Sequence, residues 1–310
     1  MIENPMDVLK LFPIRKNKKQ KEEFRRSVKS YAEEIGYSVK IEKGSFGAQN
    51  VVIGNPDTAK YLVTAHYDTP AQMIVPNFIT PCNFWAFLVY QLLVTLLMLA
   101  IASVPGFIGI ALGMNPGNAS YVWLLSVYVV LGFMMFGPGN KNNANDNTSG
   151  VVTVLETARA LPAEYRDRVC FVLFDLEEAG LVGSAAYAKA HKDQIKSQVV
   201  LNCDCVGDGD ELMMFPTKKV KKDTAAMDAL RAICGNEGQK CLAIREKGFA
   251  YYPSDQKNFP NGVGIAAFRR GKWIGLYCDK IHTKKDTVLD DNNVSFLRDK
   301  LIKLIGGAAE

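Results

Sequence analysis

Apolar positions recur along the chain with different periods, and each period predicts a different element. Between Lys18 and Ile35, Phe24, Val28, Tyr31 and Ile35 fall on one stripe at helical spacing. "QNVVIG" and "AKYLVTA" then predict strands, separated by the turn signal "NPDT". "NTSGVVTVLETARAL" predicts a helix ending before Pro162. "RVCFVLFDL" is a continuous apolar run of strand length, the mark of a strand covered on both faces. Downstream, "LVGSAAYAKAH" reads as a helix, "SQVVLNCD" and "DELMMFP" as strands, and "DTAAMDALRAIC" as a helix. "VGIAAFRR" and "KWIGLYC" are further strands, and "DNNVSFLRDKLIKLIGG" closes the pattern as a helix with glycines at its end. Strands alternating with helices predict an α/β fold, a three-layer sandwich with helices flanking a mostly parallel mixed sheet.

One tract breaks this alternation. From Pro70 to Asn140 the chain carries no Asp, Glu, Lys, Arg or His. "FWAFLVYQLLVTLLMLAIASV" (Phe84 to Val104) would span about 30 Å as a helix, the thickness of a bilayer's hydrocarbon core. "YVWLLSVYVVLGFMMF" (Tyr121 to Phe136) is shorter, but its uncharged flanks can lengthen it. "PGFIGIALGMNPGNAS" between them is rich in turn residues and predicts a connection. A soluble core helix is polar on its outer face, whereas Phe84 to Val104 offers only Gln91, Thr95 and Ser103. A buried hairpin or a dimer interface is the soluble alternative. A two-pass membrane hairpin is preferred, because this much apolar surface is costly in water. The chain then divides into one domain built from 1–82 and 137–310, with 83–136 inserted as a transmembrane hairpin through which it could also oligomerise.

Composition changes this picture little. At 310 residues, with 22% charged and 48% apolar positions, the chain is globular rather than disordered. Much of the net charge of +5 sits in "RKNKKQKEEFRR" (Arg15 to Arg26). That run reads as a solvated helix face or, beside a membrane tract, as a patch drawn to anionic headgroups. Seven cysteines without framework spacing predict reduced, mostly buried thiols in a cytosolic compartment. "MIENPMDVLKLFPIRKNKK" lacks the continuous apolar run of a secretory signal. These features predict a domain facing the cytoplasm.

The chemistry gathers where strands are expected to end, the place α/β folds put their sites. His66 and Asp68 follow "YLVTA", Asp146 lies in "NANDNTSG" before a helix, and Glu177 and Glu178 follow "FVLFDL". Asp204 ends "VVLNC", and His282 sits in "KIHTKKDT". Two of the three histidines hold such positions, while His191, on a lysine-flanked helix, reads as a surface residue. Imidazole and carboxylate donors suit zinc and its neighbours. Two ions a few ångströms apart need a shared carboxylate, plus a carboxylate and an imidazole each. For single members a bland role exists: Asp175 or Asp208 could cap a helix or turn, and Glu177 could simply be exposed.

The ordered set "HYD", "NDNTSG", "EE" and "HTKKD" resembles the two-zinc metalloexopeptidases, which include bacterial leucyl aminopeptidases and glutamate carboxypeptidase. The resemblance runs from about Lys18 to the C-terminal helix, apart from the hydrophobic insert. It implies a zinc exopeptidase-like fold and two Zn²⁺ per chain, with Co²⁺ or Mn²⁺ as alternatives. His66, Asp146, Glu178, Asp204 and His282 would be ligands and Asp146 the bridge. Glu177 would be the general base, with Asp68 orienting His66 through its far ring nitrogen. Taken with the apolar tract, a departure from the short loop of soluble relatives, the resemblance implies a membrane-anchored aminopeptidase acting on short peptides, with no nucleic-acid partner. Other exopeptidase or amidohydrolase specificities, or an inactive membrane scaffold, are the alternatives. One departure concerns substrate positioning: "YPSDQKNFP" has Gln256 where the family often has histidine.

Overall fold

In a computed structural model, which describes residues 1–307, the predicted alternation folds into one ten-stranded mixed sheet flanked by helices. A short helix α1 (Val8–Leu11) precedes α2 (Lys18–Glu34), which opens on a capping box between Asn17 and Gln20. Strands β1 (Val39–Lys43), β2 (Gln49–Ile53) and β3 (Tyr61–His66) lead to two long apolar helices, α3 (Phe84–Ala111) and α4 (Pro116–Phe136). The chain returns through α5 (Gly150–Ala160), β4 (Val169–Phe174), α6 (Val182–Ala190) and β5 (Val199–Cys203). It ends with β6 (Glu211–Pro216), α7 (Thr224–Ala232), β7 (Gly235–Glu237), β8 (Lys240–Ile244), β9 (Gly262–Gly271), β10 (Gly275–Tyr277) and α8 (Asp291–Gly306).

The sheet order is β1-β2-β4-β3-β5-β9-β6-β8-β7, with β10 on β9. Its centre is parallel, with β4, β3, β5 and β9 side by side, and antiparallel pairs finish both sides. Every residue of β3 and β4 is buried, as their unbroken apolar runs require. On one face Phe24, Val28, Leu155, Leu173 and Leu297 join the main core; on the other, Leu62, Val172, Phe174 and Phe259 form a second layer. The carboxyl ends of β3, β4 and β5 therefore lie next to one another, with His66 and Asp68, Glu177 and Glu178, and Asp204 at or just after them.

Three expectations need correction. The connection inside the hydrophobic tract is not "PGFIGIALGMNPGNAS". Helix α3 continues through Pro105 to Ala111, α4 starts at Pro116, and only 112–115 link them. Proline removes one backbone donor but does not break an apolar helix that neighbours and local adjustment support. The basic run Arg15 to Arg26 is not one solvated face. Arg15, Lys21 and Arg25 are buried, Lys21 pairing with Asp175 at 2.8 Å and Arg25 donating to the Tyr67 hydroxyl at 2.7 Å. His191 is not on the open surface either: it stacks on Tyr187 and meets Glu42 at 2.9 Å. Strands β1, β7 and β8 carried no clear sequence signal, because β1 and β7 are peripheral with mixed or exposed positions.

Helices α3 and α4 pack against each other and little else. Trp85, Phe107, Leu112, Tyr121 and Phe136 are each at least 70% exposed, the inverse of a soluble core helix. Both are long and apolar enough to cross a membrane. At their foot Lys16 Nζ donates to the Met135 carbonyl at 3.0 Å, capping the end of α4.

Candidate metal centre

Five loops bring the candidate side chains to one point. His66 is the last residue of β3, and its Nε2 lies 3.2 Å from Asp146 Oδ1 and 3.7 Å from Asp204 Oδ1. His282, on the loop after β10, places Nε2 3.1 Å from the other Asp146 oxygen, Oδ2, and 3.6 Å from Glu178 Oε2. Donor atoms of His66, Asp146 and Glu178 all lie within 4.8 Å of one another, as do those of His66, Glu177 and Asp204. All seven residues named from the sequence meet here.

The segment "NANDNTSG" is held rigidly. Asp286 accepts the backbone amides of Asn145 at 2.7 Å and Asp146 at 3.0 Å. Asn145 Oδ1 accepts from Gly207 and Asp208, and Asn147 spans from the Cys203 carbonyl to the Gly150 amide. Gly150 must be glycine, because a Cβ there would stand 2.2 Å from the Cys203 carbonyl oxygen. The Asp146–Asn147 peptide is cis. Beneath this loop the buried Arg15 guanidinium donates to the Tyr67 and Phe12 carbonyls, Asn143 Oδ1 and Thr148 Oγ1, joining the end of β3 to the aspartate loop.

Asp68 does more than the sequence indicated. Its carboxylate accepts the amides of Glu177 at 3.0 Å and Glu178 at 3.2 Å, fixing both glutamates from 109 residues away. His66 Nδ1 is nearer the Asp68 carbonyl, at 3.2 Å, than its carboxylate, at 3.5 Å. The ring is thus held at Nδ1 and presents Nε2 to the cluster.

Charge is dense and poorly hydrated at this point. Burial pushes the Glu177 and Glu178 carboxyls well above the usual range, with the neighbouring carboxylates adding to it. Burial alone would depress His66, but Glu177 and the close carboxylates of Asp146, Asp204 and Asp68 outweigh it and hold the imidazole well above its ordinary value. Burial opposes ionisation of Asp146 too, yet His282 and His66 keep it well below the usual carboxylate range. Asp204 Oδ1 is buried without a hydrogen-bond partner. An orphaned carboxylate oxygen among imidazole nitrogens and further carboxylates is uncompensated unless a cation sits between them. The donor set therefore fits a divalent ion of the zinc type. Cys205 Sγ also approaches Asp146 and Asp204 within 4.8 Å, where burial raises its thiol well above normal.

Three neighbours escaped the sequence reading. Arg15 was hidden in a charge run, and Asp286 lay inside the quoted "HTKKD" without a role. Asp255, beside Gln256, is fully buried with both oxygens unpartnered, and burial raises its carboxyl to about 7. Gln256 itself is an internal brace: its amide donates to the Tyr252 carbonyl at 2.7 Å and accepts from Asn202 at 3.1 Å.

Comparison with known proteins agrees with this geometry. Over 96 residues the chain is 40% identical to aminopeptidase YwaD of Bacillus subtilis, a stretch covering 30% of this chain and 20% of that protein. The chain thus matches about a fifth of that curated relative's length. The LapA aminopeptidase of Legionella pneumophila shares the fold with a TM-score of 0.58 at 15% identity, over 98% of this chain and 70% of that one. A Zn-dependent exopeptidase from Parabacteroides distasonis gives 0.57 at 15%, over 97% and 94%. A glutaminyl cyclase of Porphyromonas gingivalis gives 0.57 at 14%, over 97% and 95%. At these identities the structural likeness is one of fold. Residues 126–297, more than half of the chain and including Asp146, Glu177, Glu178, Asp204 and His282, match Peptidase family M28. The chain belongs to that family.

Proposed function

We propose that this chain is a membrane-anchored, two-zinc aminopeptidase that removes N-terminal residues from short peptides. The observation that carries the reading is Asp146, whose two oxygens face different imidazoles, His66 and His282. His66, Asp146 and Asp204 would hold one ion, and Asp146, Glu178 and His282 the other, with Co²⁺ or Mn²⁺ able to substitute. Bound there, the ions supply Lewis acidity to a scissile carbonyl and acidify an attacking water.

The chain's own residues do the rest. Glu177, whose carboxylate lies beside His66 and Asp204, takes the water's proton at a carboxylate oxygen and returns it to the leaving amine nitrogen. Asp68 fixes the Glu177 backbone and orients His66, so both groups hold their places between turnovers.

The names of the aminopeptidase and exopeptidase relatives favour this substrate class over other amide hydrolysis. An aminopeptidase should cleave aminoacyl substrates with a free amine and leave N-blocked analogues intact. Equal hydrolysis of both by the purified protein would favour an amidohydrolase or an endopeptidase. Metal analysis of the same sample separates an enzyme from an inactive scaffold, which need not retain two ions per chain.

Residues 83–136 would cross the bilayer twice, returning the chain to the cytoplasmic side where His66 and Asp146 meet. Replacing them with a short polar linker should release a soluble domain that still binds metal and hydrolyses small substrates. The full-length chain should stay with membranes through high-salt washing, because salt screens surface charge but not hydrocarbon burial. Its recovery in a detergent-free soluble fraction would overturn the anchor and leave the peptidase reading standing.

A further inference from the structure

The root of the apolar hairpin is joined to the metal centre by an antiparallel strap. Met73 N donates to the His282 carbonyl at 2.7 Å and Asn77 N to the Ile281 carbonyl at 3.2 Å. Ile79 and Cys278 exchange both backbone bonds at 2.9 Å, and Asn83 Nδ2 donates to the Ile274 carbonyl at 3.2 Å. The Tyr90 hydroxyl of α3 donates to the Pro76 carbonyl. One end of the strap is His282, whose side chain is 22% exposed against 13% or less for the other four candidate ligands. The site therefore opens at His282. The other end is the N-cap of α3 and the turn between β9 and β10.

That turn has unusual chemistry for an exposed position. "KWI" (Lys272 to Ile274) presents Trp273 at 88% exposure, with Lys272 Nζ 5.4 Å from its ring centre. Trp85, the second residue of α3, is 71% exposed. Phe84 packs edge-on against Phe249 at 5.3 Å and Phe87 against Tyr251 at 5.0 Å, while Lys257 lies over the Tyr251 ring. Exposed tryptophan and tyrosine rings with lysines beside them, at the start of an apolar helix, match the headgroup level of a bilayer. Lysine adds attraction to anionic lipid.

The geometry points to the Lys272–Ile274 turn as a second membrane contact, an interfacial foot about 190 residues downstream of the hairpin root in sequence but tied to it in space. The foot and the root would hold the mouth at His282 close to the headgroup layer. Eight residue steps separate Ile274 from His282, a reach of at most about 26 Å even fully extended. Substrates favoured by this placement are amphipathic peptides lying on an anionic membrane surface, with a short free N-terminal stretch. This inference rests on the membrane-anchored aminopeptidase reading.

The three tryptophans, Trp85, Trp123 and Trp273, supply the test. The full-length chain is placed in phosphatidylcholine–phosphatidylglycerol vesicles with brominated acyl chains, as two single-tryptophan variants. One retains Trp273 (Trp85→Phe, Trp123→Phe) and the other retains Trp123 (Trp85→Phe, Trp273→Phe). Both should lose emission relative to unbrominated vesicles, Trp273 most with bromines near the headgroup and Trp123 with deeper ones. Loss for Trp123 alone overturns the foot and leaves the anchor standing. Loss for neither overturns both, and loss for Trp273 alone supports the foot while overturning the spanning hairpin. In parallel, Trp273→Ala should raise KM for a vesicle-bound amphipathic peptide and leave kcat and KM for a small soluble aminoacyl substrate unchanged. An unchanged KM for the bound peptide overturns the substrate assignment.

Discussion

Asp146→Ala should abolish hydrolysis and release the two proposed metal ions together. The expectation follows from its position between two imidazoles, one facing each carboxylate oxygen. Removing an outer partner of a metal ligand costs roughly 10- to 100-fold in affinity or activity, and a shared ligand should cost more because two sites lose a donor at once. The remaining carboxylates, Glu178 and Asp204, would then face His282 and His66 without the central oxygens. Asp146→Asn keeps the shape of the side chain and serves as the folding control, with one neutral oxygen in place of two charged ones. The check is metal content per chain by atomic emission, alongside turnover of a free-amine aminoacyl substrate. Two tightly held ions in the alanine variant would sink the bridging role.

Glu177→Gln should behave in the opposite way towards metal and in the same way towards turnover. The substitution preserves size and leaves untouched the backbone amide that Asp68 holds. It removes the carboxylate proposed to carry a proton from water to the leaving amine. Loss of a general base costs about 10²- to 10⁴-fold, expected here in kcat with KM and metal content close to wild type. Wild-type turnover in this variant would mean that the proton travels by another group, and the buried, unpartnered Asp255 would be the first to examine. Parallel loss of metal would instead make Glu177 a ligand, since its carboxylate also lies within 4.8 Å of donors on His66 and Asp204.

The two variants separate roles that a list of nearby acids cannot. Asp146, buried, and Glu177, half-buried, lie in the same cluster of carboxyls, yet their surroundings push them in opposite directions. Burial raises Glu177, whereas two imidazoles hold Asp146 down against that same penalty. The shifts alone do not separate the roles, since burial raises the proposed ligand Glu178 just as it raises Glu177; metal content and turnover of the two variants do.

Much of this was legible in the amino-acid order. Unbroken apolar runs gave β3 and β4 their buried, parallel setting, since only residues covered on both faces tolerate such runs. Helical spacing identified α2, α5 and α8. The absence of any charge from Pro70 to Asn140 marked two helices that keep their apolar faces outward. His66, Glu177, Glu178 and Asp204 stood at the ends of β3, β4 and β5, so their meeting followed from the parallel order of those strands, whereas Asp146 and His282 are brought in by loops.

What the sequence could not decide were contacts between residues far apart along the chain, because periodicity carries no record of which distant groups share a space. Arg15 looked like one member of a solvated basic run, and only the fold buries it between the end of β3 and the aspartate loop. Asp68 reads as a partner of the histidine two residues away, but its carboxylate is spent on two amides 109 and 110 residues downstream. Gln256 stands where a substrate contact was expected and is turned inward by Tyr252 and Asn202. The strap from His282 to the Trp273 turn is likewise invisible in the sequence, since most of its bonds are backbone to backbone and the Asn83 and Tyr90 side chains that join it carry no signal of their distant partners. Local order thus determined the elements and the donors, which depend on neighbours in sequence. Tertiary packing decided charge balance, orientation and exposure, which depend on neighbours in space.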